Sequence, residues 1–322
     1  MRMAAVQLEA VTGDVAANLE RCERLADAAA AAGAEWIVLP EFFTTGSGFR
    51  EDLAGAALAP DGAATVLLRD LARRHGATVG GSFLCRDADG EVRNAFLLSD
   101  PNGRIRGRHD KDLPTMWENC LYIGGEDDGI IDAGELRVGV GMCWEFLRTQ
   151  TVRRLRGKVD VVVGGSFWLS IPPWPPPAVF RRLQAANART AAVVAERFAR
   201  FVGAPVVHAA HCGPLECRIP WTPLTYRGFV QGGALVADAD GRVLARRDRR
   251  DGAGFAIADV QPGRVAPVDP LPQGFWLDRR GAVATFMWHY QREHGRRWYV
   301  RHTRGLPPLE VPGSSLQRRV EL

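Results

Sequence analysis

Short apolar runs alternate along the chain with stretches whose apolar positions recur at helical spacing. Residues 3–9, opening on Met3-Ala4-Ala5-Val6, predict a first strand. Thr12-Gly13-Asp14 predicts a turn, and Asp14 caps a helix over residues 15–32 that turns Leu19, Cys22, Leu25 and Ala29 inward and stops at Gly33. Residues 35–40, apolar from Trp36 onward, read as a parallel strand covered on both faces, and Pro40 leaves Glu41 at the carboxyl end. The unit repeats as a helix over 63–75 and a strand over 77–83. Residues 93–98 and 104–109 predict a hairpin around Asp100-Pro101-Asn102-Gly103, and 110–129 an irregular stretch.

The second half keeps the rhythm. Residues 136–142 predict a strand and 146–155 a helix. A buried strand over 159–167 runs into Ile171-Pro172-Pro173-Trp174-Pro175-Pro176-Pro177, which predicts an extended surface loop. A long helix over 179–201 follows, its Arg181, Arg182, Arg189, Arg197 and Arg200 facing solvent or a subunit. Strands over 204–210 and 254–260 flank a hairpin of 232–237 and 243–245. This order predicts one α/β domain over residues 1–265, a mixed sheet with outer helices. Residues 266–322, rich in arginine and aromatics, break the rhythm and predict an extension packing on a neighbouring subunit.

Composition narrows the classes. With 322 residues, 46% hydrophobic, the chain can bury a large core. A net charge of +4, with arginines scattered, gives no footprint for nucleic acid. No apolar run reaches spanning length, and the chain enters its first strand without a charged-then-apolar leader, so a cytoplasmic location is expected. The cysteines Cys22, Cys85, Cys120, Cys143, Cys212 and Cys217 are dispersed and read as free thiols.

Cys143 stands where a strand breaks into a helix, a turn that presents the side chain and aims helix amides at it, favouring thiolate. Glu41 ends an earlier strand, and His109-Asp110-Lys111 leads to Glu118 seven positions past the lysine. At the carboxyl ends of strands these groups can share one crevice. A desolvated glutamate accepts the thiol proton, the thiolate attacks carbon, and the ammonium balances developing negative charge. His208, His211, Cys212 and Cys217 form a metal-competent alternative without paired spacing; the favoured expectation is that they line or cap the pocket, with no metal and no cofactor. Trp117, Trp144 and Trp168 are candidates to line a substrate pocket.

These segments, with Ala4-Ala5-Val6-Gln7 and the hairpin Val236 to Val243, make residues 1–262 resemble the nitrilase, or carbon–nitrogen hydrolase, superfamily. The resemblance implies an α-β-β-α sandwich. It makes Glu41 the general base, Lys111 the charge stabiliser, Cys143 the nucleophile and Glu118 a supporting glutamate, with the Trp144 amide donating to the oxyanion. It implies a small nitrile or amide as substrate, a thioester intermediate, release of ammonia, and at least a homodimer. N-carbamoyl hydrolysis, amide formation with an amine acceptor, and a non-catalytic scaffold stay open. Residues 208–213 and 215–227 have no counterpart in nitrilases.

Overall fold

The computed structural model describes residues 1–219, 222–278 and 281–311. The strands are β1 (Arg2–Leu8), β2 (Trp36–Val38), β3 (Thr78–Arg86), β4 (Val92–Ser99), β5 (Ile105–Asp110), β6 (Ile130–Asp132), β7 (Arg137–Met142), β8 (Val161–Ser166), β9 (Val206–His211), β10 (Pro214–Arg218), β11 (Thr225–Phe229), β12 (Ala234–Ala237), β13 (Val243–Arg247) and β14 (Gly254–Asp259). The helices are α1 (Val15–Ala31), α2 (Ala63–His75), α3 (Thr149–Leu155), α4 (Pro177–Val202) and α5 (Ala282–Trp298).

Two sheet halves face each other. One runs β5-β4-β3-β2-β1 with β14 antiparallel to β1, the other β6-β7-β8-β9 with β12 and β13 beyond. They join where the end of β1 pairs with the end of β9, Gln7 opposite Ala210 and Leu8 opposite His211. Strand alternation then sorts the side chains into layers. Met3, Ala5 and Val38 of one half meet Val140, Met142, Val163 and Val207 of the other in a shared interior. Ala4, Val6 and Leu8 point the opposite way, onto Leu19 and Cys22 of α1, in a cluster that also holds Leu68 of α2. Val162 and Val206 point onto Val152 of α3 and Val194 and Phe198 of α4. The result is the expected sandwich of helices outside two sheet layers.

Local chemistry explains most boundaries. The Asp14 carboxylate accepts the Ala17 N–H at 3.0 Å, capping α1. Two stretches differ from expectation. Cys143–Leu147 forms a 3-10 turn and the α-helix starts only at Thr149, because the chain leaves β7 through a left-handed residue, Cys143 at φ 48°. Residues 214–218 and 225–229, for which no element is predicted, pair as β10 and β11, with Leu215 and Cys217 alternating inward.

Beyond residue 269, α5 folds back on the chain's own body. The Tyr299 hydroxyl donates to Glu91 Oε2 at 2.6 Å and accepts the Val92 N–H at 2.8 Å, and Thr303 Oγ1 donates to the Cys120 carbonyl at 2.6 Å. Residues 279–280 and 312–322 of the expected extension lie outside the described residues. No described helix is long and apolar enough to cross a membrane.

Candidate active site

The segments that follow β2, β5, β7 and β8 converge on one buried site, and each delivers a polar group to it. Glu41 follows β2 with its side chain fully buried. Its Oε1 accepts from Lys111 Nζ at 2.8 Å and from Asn94 Nδ2 at 3.0 Å, and its Oε2 accepts the Phe167 N–H at 3.0 Å. His211 Nε2, on β9, donates to the Glu41 carbonyl at 2.6 Å. Asn94 acts twice, since its carbonyl also accepts the Lys111 N–H at 3.0 Å. Gly165 lets β8 come this close. A Cβ there would meet the Ala209 carbonyl at 2.7 Å and Pro40 Cα at 3.0 Å, pushing Phe167 off Glu41.

Lys111 is buried between two carboxylates, its second bond running to Glu118 Oε2 at 2.6 Å. That same oxygen accepts from the Tyr122 hydroxyl at 2.5 Å and the Thr115 N–H at 2.8 Å. Burial pushes Glu41 up to about 7, with the Lys111 charge pulling down and Glu118 pushing further up. Burial alone would lower Lys111, but Glu118 and Glu41 outweigh it and hold the ammonium well above its ordinary value.

Cys143 is 3% exposed and lies in the apolar cluster that contains Phe146 and Trp168. Burial drives its thiol well above the ordinary range, the Glu41 charge adds to that, and Lys111 and the Trp144 N–H pull the other way. Burial thus opposes the thiolate that a helix N-terminus would favour, and only a single 3-10 turn follows Cys143 before the chain reaches α3. Among the described residues three non-glycine positions have positive φ, Phe42 at 54°, Met116 at 48° and Cys143 at 48°, and each belongs to a segment carrying a candidate site residue. Such strain persists only where the surroundings over-determine it.

The carbon–nitrogen hydrolase family matches residues 2–269. The chain belongs to that family. A nitrilase of Pyrococcus abyssi is 29% identical over 168 residues, which cover 50% of this chain and 63% of the relative. An omega-amidase of Danio rerio is 26% identical over 259 residues, 76% of this chain and 90% of the relative. The aligned stretch spans 63% of the Pyrococcus nitrilase, 55% of a Pseudomonas protegens hydrolase and 47% of an Arabidopsis thaliana nitrilase. Among solved structures, an amidase from Nesterenkonia sp. AN1, with acrylamide added at its active-site cysteine, superposes with a TM-score of 0.61 at 20% identity. That match covers 81% of this chain and 93% of the amidase. A Saccharomyces cerevisiae member of branch 10 of the nitrilase superfamily gives 0.63 at 18% identity, covering 80% and 89%.

In this carbon–nitrogen hydrolase the tryptophans divide. The Trp144 amide is aimed at the Cys143 sulfur, while its ring leaves the crevice for Trp276 and Trp288, with centroids at 5.3 and 6.4 Å. Trp168 is buried and its indole N–H donates to Asn187 Oδ1 at 2.8 Å. Trp117 is buried with its ring tilted against Phe49 at 6.3 Å. His208 is tied to Ser166 Oγ at 2.8 Å, and burial takes both His208 and His211 down to about 4, so both are neutral. Among the described residues no cluster of His, Cys, Asp and Glu is arranged to hold a metal ion. Sequence reasoning missed Asn94, Tyr122, the Phe167 amide and the contact of His211 with Glu41. Asn94 left one trace, an amide directly ahead of the apolar run Ala95-Phe96-Leu97-Leu98.

Proposed function

We propose that the enzyme hydrolyses the carbon–nitrogen bond of a small amide or nitrile through a thioester on Cys143, releasing ammonia. The observation that carries this reading is the buried carboxylate of Glu41, poised at about 7 and ion-paired to Lys111, with both charges acting on the Cys143 thiol. Glu41 takes the thiol proton as sulfur bonds to the substrate carbon. The Lys111 ammonium and the Trp144 N–H stabilise charge on the substrate heteroatom. With an amide, the tetrahedral intermediate collapses, the C–N bond breaks, and Glu41 returns the proton to the departing nitrogen. Water, deprotonated by Glu41, then attacks the thioester carbon, and the carboxylic acid leaves as the sulfur is reprotonated. A nitrile first forms a thioimidate and joins the same route after one hydration. Glu118, held by Tyr122 and Thr115, fixes the lysine between two anions.

An amide is the substrate class favoured, since the Danio rerio omega-amidase aligns over 90% of its own length. The reading extends to a cytoplasmic homo-oligomer with residues 266–322 at the subunit contact, supported by six unpaired thiols. The test is intact-mass spectrometry after exposure to a panel of primary amides, nitriles and N-carbamoyl compounds. An acyl adduct on Cys143 and ammonia release are expected, both absent in Cys143→Ala. Ammonia release by that variant at the wild-type rate would refute the mechanism.

A further inference from the structure

Glu145 lies two residues past the nucleophile, fully buried, and takes no part in the reaction just described. Every group bonded to its carboxylate is a donor. Oε2 accepts the Met142 N–H at 2.9 Å and Oε1 accepts the Asp112 N–H at 3.1 Å. His109 Nε2 reaches both oxygens, at 3.1 and 3.2 Å, and Arg154 Nη2 reaches Oε1 at 3.3 Å. Met142 immediately precedes Cys143, and Asp112 immediately follows Lys111. The two segments belong to different sheet halves. β5 pairs with β4, whereas β7 pairs with β6 and β8, so among the described residues the two strands share no ladder and are linked through the sheet only by way of β1 and β9. One carboxylate spans that gap.

We propose that Glu145 is a positioning residue for the reaction: by holding the amides of Met142 and Asp112 on one carboxylate, it sets where the Cys143 sulfur stands relative to the Lys111 ammonium. His109 completes the clamp. Its Nδ1 bonds Asp127 Oδ1, and Asp127 in turn accepts the Asp110 N–H at 2.9 Å and the Gly129 N–H at 2.8 Å. Burial would strip the proton from His109, but Glu145 and Asp127 hold it, up to about 10, and His109 in turn keeps Glu145 ionised. An amide cannot replace this carboxylate. Whichever way a glutamine is turned, its NH2 faces a backbone N–H and loses one of the two clamps.

The inference rests on the thiol chemistry proposed above, and its test needs no substrate. The rate of Cys143 alkylation by iodoacetamide is followed by peptide mass spectrometry from pH 5 to 10, in wild type and in Glu145→Gln, with thermal melts confirming the fold. Removing a nearby negative charge would by itself ease thiolate formation and lower the pH midpoint. Loss of position does the opposite, so a midpoint raised by about one unit and alkylation about tenfold slower at pH 7 are expected. A midpoint unchanged or lowered overturns the proposal. If Glu145→Gln does not fold, His109→Gln is read instead. There both amides stay on Glu145, which then faces Arg154 as its remaining cation and Asp112 as a like charge, with Arg148 and Asp127 one contact further out. Its alkylation rate should match wild type above about pH 7 and fall below it on acidification, as Glu145 takes up a proton. A ratio to wild type constant across the range overturns the proposal. Ammonia release by Cys143→Ala would sink the proposed reaction and leave this measurement standing.

Discussion

Replacing Lys111 by Met removes the cation shared by two buried carboxylates, bonded at 2.8 Å to Glu41 and 2.6 Å to Glu118. Breaking a buried pair by deleting one partner costs about 3–5 kcal/mol. At roughly 2 °C per kcal/mol for a chain of this size, the melting temperature at pH 8 should fall by about 6–10 °C. The pH dependence is the sharper signature. In wild type Lys111 lies well above its ordinary value of 10.5, so its contribution is fully present below that pH and constant from pH 5 to 9. In the variant Glu41 loses its cation and moves above the wild-type value of about 7, further from its ordinary 4.5. A raised carboxyl costs stability progressively as pH climbs from its ordinary value of 4.5 to its folded value and no further, so wild type levels off near pH 7 while the variant keeps losing, and the gap between them should stay flat from pH 5 to 7 and widen from pH 7 to 9. Differential scanning fluorimetry at five pH values measures it. A gap that is flat, or that narrows, from pH 7 to 9 would refute a shared buried cation.

The remaining predictions concern the neighbours of that cluster. Wild-type activity should fall as pH drops through about 7, because Glu41 must be ionised to act as base. Asn94→Ala, which deletes one donor to that carboxylate, should move the limb up by about 1–2 units, at roughly 1.5–3 kcal/mol for a bond to a charged group, and a pH–rate profile checks it. Tyr122→Phe should cost about 1–3 kcal/mol of stability and about tenfold in turnover by freeing Glu118 from its phenol, read from melts and steady-state kinetics. Cys143 adopts φ 48°, so Cys143→Gly should melt above Cys143→Ala by about 1 kcal/mol, both being inactive; equal melting would mean the turn relaxes without cost.

The parts of this enzyme legible in the sequence were those with a local signature. The apolar run ending at Pro40 placed Glu41 at a strand's carboxyl end, and Asp14 announced the start of α1. Lys111, Glu118 and Cys143 could be named because each stands at a break in the pattern. What stayed hidden depends on pairs far apart in the chain. Glu41 is reached by Asn94 across 53 positions and by the Phe167 amide across 126, distances over which no periodicity carries information. The burial of Cys143 is hidden for a related reason: a strand-to-turn pattern reveals local dipoles, whereas Phe146, Trp168 and the other apolar neighbours are brought in by the fold.

The seam where β1 meets β9 carries a consequence for how activity is acquired. Glu41, Lys111 and Glu118 come from one side of that seam, Cys143, Phe167 and His211 from the other. Neither side holds all the groups of the proposed reaction, and β14, which pairs with β1 on the first side, comes from the chain beyond the second. Turnover is therefore a reporter of docking: in a refolding experiment it would return after the far-ultraviolet signal, and a chain cut between the sides would regain it only when both pieces are present.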